Sequence, residues 1–404
     1  MAKRQTAGRN RAKGRSAGGK GAAAKRSPRR ERWHPSQEND ELVFAVCDYF
    51  LGLADGNEKM AVAAVVRWVE ETFGRTDINR ERVYPILREG IRRRFVNLRP
   101  PLEDTIAQRI ADLYALHDAD RHAIHVVNVD RSRAHDYVAS AAAELVHVLI
   151  RKLVNEQGRK RVHLGLGVGN SSMKVAMHLG DILGSDPASP NLVVHALSSA
   201  GFMDNDPHGV PINFVHLLET GLNRVEFVGL NAPPVILSKE YDGFRQSLAM
   251  QEALRRASEI DIVVTAFACA DHLHGVLNHY LRYLESVDPH DVTRQLLLKR
   301  GWVGDVQYVP YSKDGPITLK RGFRSVVLLE VPDLVKMAQS GRKYVVLVGG
   351  PCSTCGETRT RALLPLIEQV QLRVWSHLVT DIRTAAELLP PAWHGSAAAS
   401  GRGL

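Results

Sequence analysis

The sequence predicts an α/β protein in which a mostly parallel sheet, covered by helices on both faces, follows a small helical domain. From residue 122 onward, short apolar runs alternate with amphipathic segments of helical period. That alternation is typical of parallel strands joined by crossover helices. Between residues 38 and 118 the apolar residues recur at helix spacing instead. Ligands of such open sheets bind beyond the carboxyl ends of the strands, so we expect a binding site there.

The α/β part is expected to begin with a strand and to alternate to its end. The predicted strands are 123–129, 162–166, 192–197, 224–230, 260–268, 325–329, 344–348 and 378–380. The predicted helices are 135–155, 172–183, 211–220, 245–258, 272–285, 332–339, 358–371 and 383–389.

Three amphipathic runs are expected to form helices in the amino-terminal segment. A break at 55–57 ends the first, Gly74 ends the second, and Asn79 can cap the third. The alternating stretch 92–101 is expected to form a strand that two prolines end. Three helices and a strand outline a winged helix-turn-helix, although many three-helix units bind no DNA. The candidate DNA-binding residues are Arg80, Arg82, Arg88, Arg92 and Arg93. The alternative is that these arginines are merely solvated.

The formal net charge of +9 is concentrated at the amino terminus. Residues 1–32 contain twelve Lys or Arg and one Glu, while the rest of the chain is nearly neutral. With few large apolar residues, this tail is expected to be disordered and to bind nucleic-acid phosphates without sequence preference. A solubilising extension is the alternative. The expected division is a basic tail 1–37, a helical domain 38–101, a linker helix 102–121, an α/β domain 122–390 and a disordered tail 391–404.

Composition narrows the class of protein. Four cysteines in 404 residues exclude a disulfide scaffold. No apolar run approaches the ~18 residues of a membrane span. We therefore expect a cytoplasmic protein with no membrane partner.

The stretch most indicative of function is Gly165-Leu-Gly-Val-Gly-Asn-Ser-Ser. A strand, a glycine turn and a helix start in that order build an anion pocket, because the first helical N–H groups lack partners and the helix dipole favours negative charge. We expect Ser171 and Ser172 to cap the helix and to donate to a phosphate oxygen. The spacing is not that of a Walker loop, and a purely structural strand–helix turn is the alternative.

Three further landmarks follow the glycine loop: Asp261-Ile-Val-Val-Thr-Ala, Val345-Val-Leu-Val-Gly-Gly and Leu378-Val-Thr-Asp-Ile-Arg-Thr-Ala-Ala-Glu-Leu-Leu. With them, residues 160–389 resemble the effector-binding domain of SorC-family sugar-sensing regulators, which is related in fold to ribose-phosphate isomerase and sugar-phosphate deaminase. The family's usual amino-terminal helix-turn-helix signature is not visible between 58 and 80.

The resemblance implies a transcriptional regulator rather than an enzyme, whose partners are DNA and a phosphorylated sugar effector and which forms a dimer or tetramer. It implies that the effector's phosphate rests on the glycine loop, that an arginine stands near a lysine position of the family, and that a carboxylate accepts sugar hydroxyls. The corresponding residues are Gly167, Gly169, Asn170, Ser171, Ser172, Arg359, Arg361 and Asp381.

Two other functions stay open. A phosphosugar isomerase or deaminase would need a carboxylate beside the sugar carbonyl, and Asp261, Asp271 and Asp381 are the available ones. A sugar-phosphate-binding protein without specific DNA reading is the other.

The remaining polar motifs carry weaker expectations. Cys352-Ser-Thr-Cys355 could be a redox pair or half of a zinc site, but it supplies only two of four ligands, so we expect two reduced thiols, no metal and no cofactor. Asp271-His272-Leu-His274 could bind a ligand hydroxyl or, with Cys269, a metal; ordinary helix-start residues are the alternative. Asp204 and Asn205 are secondary ligand candidates.

Overall fold

The computed structural model describes residues 33–52, 62–93, 95–96, 99–116, 123–129, 133–199, 209–287, 294–319 and 322–391. Of the tails predicted over 1–37 and 391–404, residues 1–32 and 392–404 lie outside these ranges. The chain divides into two compact units, Met1–Val96 and Asn97–Leu404. Within the part of the chain described, no helix is both long and apolar enough to cross a bilayer.

The amino-terminal unit contains the three predicted helices: α1 Asp40–Leu51, α2 Val62–Phe73 and α3 Arg80–Arg92. Side-chain oxygens cap two of them, since Asn39 Oδ1 accepts the N–H of Leu42 and Asn79 Oδ1 accepts that of Arg82. Apolar faces of all three helices meet in one core. The buried members of that core are Leu42, Val43, Val46, Val65, Val69, Ile78, Val83 and Ile86.

The folded unit starts earlier than residue 38. A 3₁₀ turn covers Pro35–Gln37, and the indole of Trp33 donates to Glu38 at 2.6 Å. Arg75 donates to both oxygens of the same buried carboxylate, at 2.7 and 2.9 Å. These bonds fasten the segment before α1 to the turn between α2 and α3.

The strand expected over 92–101 is not formed by the described residues of that stretch. Arg92 still belongs to α3, and Phe95 and Val96 form a bend whose N–H groups both donate to the carbonyl of Gly90. The ion pairs that Arg92 and Arg93 make with Glu89 follow helix spacing, which favours continued helix over a strand. The predicted helix break at 55–57 lies outside the described residues.

The second unit holds twelve strands and eleven helices among its described residues. The strands are β1 Ala123–Val127, β2 Arg161–Leu166, β3 Asn191–Ala196, β4 Val225–Val228, β5 Val235–Leu237, β6 Ile262–Cys269, β7 Gly304–Val306, β8 Val309–Ser312, β9 Gly315–Pro316, β10 Phe323–Ser325, β11 Tyr344–Val348 and β12 His377–Asp381. The helices are α4 Asp104–Leu113, α5 Ala134–Gln157, α6 Asn170–Leu183, α7 Pro211–Leu218, α8 Tyr241–Arg245, α9 Leu248–Arg256, α10 Val276–Val287, α11 Arg294–Lys299, α12 Val331–Gln339, α13 Thr360–Glu368 and α14 Ile382–Glu387.

Seven strands form the predicted parallel sheet, in the order β1-β12-β11-β6-β2-β3-β4. From β2 the chain proceeds outward to β3 and β4, and it then returns to β6 and proceeds outward in the other direction to β11 and β12. The strand order therefore reverses between β2 and β6, which is where open parallel sheets leave a crevice. The predicted fold class is confirmed.

Alternating side chains of the central strands enter two separate cores. Ile262, Val264 and Val346 pack with α5, α6 and α7, whereas Val263 and Val345 pack with α12 and α13 on the other face. Both faces of the sheet are thus buried, as the near-continuous apolar runs of these strands require.

Antiparallel pairs complete the unit and were not predicted. Strands β7, β8 and β9 form a meander that extends from the carboxyl end of β6. The strand expected over 325–329 is only the short β10, which pairs with β5 in a separate two-stranded sheet. Strands of two to four residues are too short to produce a recognisable alternation.

Candidate functional site

A cavity of about 170 Å³ lies at the crevice between β2 and β6. Its volume is close to the ~150 Å³ of an engineered protein cavity that holds one aromatic ring, so a ligand the size of a single sugar ring can enter. Its walls come from the glycine loop, the end of β6, the β7–β8 hairpin, the start of α10 and the segment after β11. The polar or charged residues that line it are Asn170, Ser171, Thr265, Asp305, Gln307, Tyr308, Cys352, Ser353 and Arg359.

The glycine loop approaches its neighbours as closely as its sequence predicts. Gly169 has φ +99°, a conformation that side chains rarely adopt, and its N–H donates to the carbonyl of Gly209 at 2.9 Å. A Cβ on Gly167 would lie 3.0 Å from Oγ1 of Thr265 on β6. The N–H groups of Gly167 and Gly169 thus both donate within the protein, to Val264 and Gly209, and the amides that could meet an anion are those at the start of the following helix.

Helix α6 begins at Asn170 and has no side-chain cap. The expected caps, Ser171 and Ser172, are instead the second and third residues of the helix. Because Gly169 takes the capping position, the first N–H groups of α6 have no intrahelical acceptor. The Oδ1 atom of Asn170 and the hydroxyl of Ser172 are buried and have no hydrogen-bond partner among the described residues.

Ser171 is oriented by a neutral histidine. Its hydroxyl lies 3.1 Å from Nε2 of His135 on α5. Burial, together with the positive charges of Lys174 and Arg359, lowers the pKa of His135 to about 4. The Lys174 ammonium itself is 2.5 Å from Asp136, so its charge is largely compensated outside the cavity.

Arg359 places a buried guanidinium at the cavity wall. Its Nε and Nη2 atoms donate to the carbonyl of Gly350 at 2.9 and 2.6 Å, and Nη1 donates to the carbonyl of Phe267. Burial lowers the pKa of this guanidinium, but an arginine stays charged near neutrality. Among the described residues no carboxylate forms an ion pair with it. The cavity therefore holds a positive charge without an ion-pair partner among the described residues, although the Asp305 and Asp381 carboxyls lie close enough to interact with it electrostatically.

The β7–β8 hairpin supplies cavity-lining residues that the sequence did not predict. Gln307 and Tyr308, at φ +52° and +66°, form its two-residue turn without the glycine or asparagine usual at such angles. Both polar atoms of the Gln307 amide are buried and have no partner within the described part of the chain. Strained backbone and unpaired polar atoms beside a cavity are typical of a binding site. No local signal marks this turn.

Asp305 is the carboxylate of the cavity. It is 5% exposed, and burial raises its pKa to about 7, although the backbone N–H of Tyr308 and the charge of Arg359 oppose that rise. The carboxylates considered from sequence lie elsewhere. Asp261 accepts the His163 N–H before β6 begins, and Asp271 pairs with Arg361 at 2.7 Å.

Four of the predicted effector residues line the cavity: Gly169, Asn170, Ser171 and Arg359. Gly167, Ser172, Arg361 and Asp381 do not. Asp381 was expected to accept sugar hydroxyls, but it is fully buried and caps α14. Its Oδ1 accepts the N–H groups of Arg383 and Thr384, and its Oδ2 accepts the Thr384 hydroxyl at 2.5 Å.

The candidate DNA-binding arginines divide into two groups. Arg82 pairs with Asp77 at 2.6 Å and covers the Trp33 ring, Arg92 pairs with Glu89, and Arg93 bonds to both Glu89 and Asp40. Arg80 and Arg88 are exposed, and within the described ranges neither has an ion-pair partner. They lie two helical turns apart, with the exposed Tyr84 between them.

The two weaker motifs come together beside the cavity. Ligand atoms of His272, His274, Cys352 and Cys355 all lie within 4.8 Å of one another. Burial raises the pKa of the Cys352 thiol, but hydrogen bonds from the backbone of Cys355 and from His274 outweigh it and bring that pKa to about 7. Cys269 is not part of this group, and Asp204 and Asn205 lie outside the described residues.

Comparisons with known proteins rest on structure alone. No protein-family model and no curated protein matches the sequence. The full-length sorbitol operon regulator SorC from Klebsiella pneumoniae is 14% identical and superposes with a TM-score of 0.57, over 87% of this chain and 100% of that one. A transcriptional regulator from Streptococcus pneumoniae is 16% identical with a TM-score of 0.54, over 72% and 98%. A probable sor operon regulator from Shigella flexneri is 13% identical with a TM-score of 0.52, over 71% and 98%.

At sequence identities of 13–16%, these superpositions show a shared fold and nothing beyond it. The resemblance seen in the sequence is confirmed at that level, because the chain has the fold of SorC-type regulators.

Proposed function

We propose that this protein is a sugar-phosphate-responsive transcriptional regulator. In this proposal the cavity between β2 and β6 binds a phosphorylated sugar, and α3 contacts DNA. Effector binding shifts a homodimer or homotetramer between arrangements that space the DNA-contacting helices differently. The protein catalyses no reaction and works in the cytoplasm.

One observation carries the effector half of the proposal. The uncapped amino terminus of α6 and the guanidinium of Arg359, which makes no ion pair with a described carboxylate, line the same cavity. Unpaired N–H groups, the helix dipole and a fixed positive charge together attract a dianion such as a phosphate. Asp305 and Gln307 line the same cavity and offer donors and acceptors suited to sugar hydroxyls.

The DNA half is supported by α3 and by the structural likeness. The superposition on full-length SorC covers 87% of this chain, a larger share than residues 97–404 make up. The likeness therefore includes part of the amino-terminal unit. Arg80 and Arg88 flank Tyr84 on the solvent side of α3. Two unpaired cations around an exposed aromatic ring are suited to a phosphate backbone and groove edges.

A thermal-shift panel tests the effector. Phosphorylated sugars, the same sugars without phosphate, and inorganic phosphate are added to the full-length protein. A ligand that binds only the folded state raises its melting temperature. We expect a selective rise with one or a few phosphosugars, and a panel without any such response would contradict the proposal.

Asn170→Asp sharpens that test. The substitution is isosteric and suits the first turn of a helix, so the protein should fold, but its negative charge should repel the phosphate and abolish the shift. Asn191→Asp makes the same change at the exposed start of β3 and should respond like the unaltered protein.

A second candidate, a phosphosugar isomerase or deaminase, is favoured by Asp305 alone. A cavity carboxyl with a pKa of about 7 can act as a general acid or base near neutrality. Incubation of the responsive phosphosugar in deuterated water, followed by NMR, distinguishes the two functions. Deuterium incorporation or product that Asp305→Asn abolishes would establish the enzyme and reject the sensor without catalysis.

A further inference from the structure

Two loops meet at the rim of the cavity and contain polar side chains that the proposed effector site does not use. The first, residues 271–275, follows β6 and contains His272 and His274; the second, residues 352–356, follows β11 and contains Cys352 and Cys355. Seventy-eight positions separate His274 from Cys352, yet His274 Nε2 lies 3.0 Å from Cys352 Sγ. We propose that these two histidines and two cysteines form a Zn²⁺ site that joins the loops.

The spacing of the ligand atoms fits one small ion. In a tetrahedral zinc site with two sulfur and two nitrogen ligands, the edges between ligand atoms are about 3.3–3.8 Å. The four ligand atoms here all lie within 4.8 Å of one another. Shifts of about 1 Å or less would therefore close a tetrahedron.

Each loop is already held by its own backbone. The Cys352 N–H donates to the carbonyl of Glu357, and the Gly356 N–H donates to that of Cys352, both at 2.9 Å. Gly356 has φ +72°, which lets the chain turn back after Cys355. In the other loop the Gly275 N–H and the Asn278 amide both donate to the carbonyl of His272. Such turns keep the ligands in place before an ion arrives.

The donor set selects the metal. Two thiolates and two imidazoles are the ligands that structural zinc sites use, and carboxylate-preferring Mg²⁺ and Ca²⁺ are excluded by them. Two thiolates also balance the charge of Zn²⁺. The bound ion would thus leave the buried positive charge of Arg359 available to an anionic ligand.

The position of the site gives the ion a structural consequence. Pro351, Cys352 and Ser353 line one side of the cavity, and Val276 and Leu277, just after the histidine loop, line another. An exposed ion pair between Asp271 and Arg361 of α13 also joins the histidine loop to the chain that follows the cysteine loop. Zinc would fasten the cavity rim far more firmly than an exposed ion pair, whose net contribution to stability is small.

Metal titration tests the site. Tag-free full-length protein is reduced, stripped with chelator and titrated with Zn²⁺ alone against a chromophoric chelator, and with Co²⁺ in parallel. We expect one equivalent per chain, tetrahedral cobalt bands with a thiolate charge-transfer band, and a rise in melting temperature with zinc. Loss of a residue that only supports a metal ligand weakens metal binding by about 10- to 100-fold. Loss of a direct ligand should cost more, so we expect zinc affinity to fall by more than about 100-fold in each of Cys352→Ser, Cys355→Ser, His272→Gln and His274→Gln.

The control variants remove a histidine and a cysteine that do not belong to the proposed zinc site. His279→Gln removes an exposed histidine of α10, and Cys269→Ala removes a buried thiol outside the group; both should bind zinc like the unaltered protein. His274 and Cys355 are exposed, so their variants should melt like the stripped protein and differ only in lacking the shift with zinc.

Four results would overturn the proposal. They are an absence of stoichiometric zinc binding, cobalt binding without a thiolate band, full affinity in both histidine variants, and a Cys352–Cys355 disulfide that persists under reduction. Neither sugar nor DNA enters these measurements, so their failure is distinct from failure of the proposed function.

Discussion

The guanidinium of Arg359 is held by the carbonyl oxygen of Gly350, to which it donates from Nε and Nη2 at 2.9 and 2.6 Å. A dipole orients the cation without neutralising it, whereas a carboxylate would have done both. The Gly-Gly turn after β11 thereby positions a positive charge opposite the amino terminus of α6.

Arg359→Gln should weaken the binding of anionic ligands. Charged hydrogen bonds contribute about 1.5–3 kcal/mol each, so we expect phosphosugar affinity to fall by about 10- to 100-fold. Isothermal titration calorimetry measures the loss. Arg361→Gln is the matched control, because that side chain is 66% exposed and lies outside the cavity. Equal losses in both variants would reject the assignment of the charge to Arg359.

Asp305 should make stability depend on pH. Its folded pKa of about 7 lies above the ordinary value of 3.8, so the folded chain binds more protons than the unfolded chain between these values. The contribution of Asp305 to the unfolding free energy must then fall as pH rises from 4 through 7, by about 4 kcal/mol over the full interval. The buried His135 and His195, whose pKa is lowered to about 4, contribute with the opposite sign below pH 6.5, so the Asp305 effect is read from the difference between the unaltered protein and its variant. Affinity for an anion should fall over the same upper range, since the ionised carboxylate repels it.

Denaturant titration of the unaltered protein and of Asp305→Asn between pH 5 and 8.5 checks this sign. The amide mimics the protonated acid, so the variant should lack the Asp305 contribution, and its stability relative to the unaltered protein should increase with pH and be the greater at pH 8. Parallel pH curves for the two proteins would contradict the raised pKa.

The arginines of α3 should separate into DNA-contacting and structural residues. Arg80→Ala and Arg88→Ala should each weaken DNA binding and lower the slope of affinity against salt by about 0.9, the value for one phosphate contact. Arg82→Ala should instead lower stability by about 1 kcal/mol, because it loses the Asp77 ion pair and the contact with the Trp33 ring.

Fluorescence anisotropy on promoter DNA at several salt concentrations measures the first effect, and thermal denaturation measures the second. If Arg82→Ala instead lost salt-dependent DNA affinity at unchanged stability, the DNA-contacting face would have to be assigned to the other side of α3.

Gly180→Ala should strongly destabilise the second unit. Helix α6 packs against α7 so closely that a Cβ at this position would lie 1.7 Å from the carbonyl oxygen of Leu217. A backbone atom cannot rotate away, so we expect a loss of at least about 3 kcal/mol in unfolding free energy. Gly243→Ala in α8 is the matched control, since a Cβ there meets nothing within 4 Å. That variant should gain up to about 1 kcal/mol from helix propensity. Similar chemical-denaturation midpoints for the two variants would contradict the packing.

The alternation of apolar runs with amphipathic segments was enough to predict the parallel sheet. A strand buried on both faces is a run of consecutive apolar residues, which the local sequence shows directly. The glycine loop was equally readable: positive φ at Gly169 and close approach at Gly167 require glycine wherever they occur. Caps were readable only where an asparagine stands directly before a helix, as at Asn79. Ser171 and Ser172 were misread because Gly169 already occupies the capping position.

Only tertiary structure decided which loops share an edge of the sheet. Strand order brings β2, β6 and β11 together, and with them the glycine loop, His272 and His274, and Cys352 and Cys355. In the sequence the cysteine pair offers only two of the four ligands of the proposed zinc site. The other two, His272 and His274, come from a distant segment of the chain. Asp305 and Gln307 line the cavity because they belong to a hairpin whose turn has no recognisable sequence signature. Asp381 does not line it, because its carboxylate caps α14. Periodicity is a property of neighbours along the chain, whereas a binding site depends on contacts between distant segments, which only packing selects.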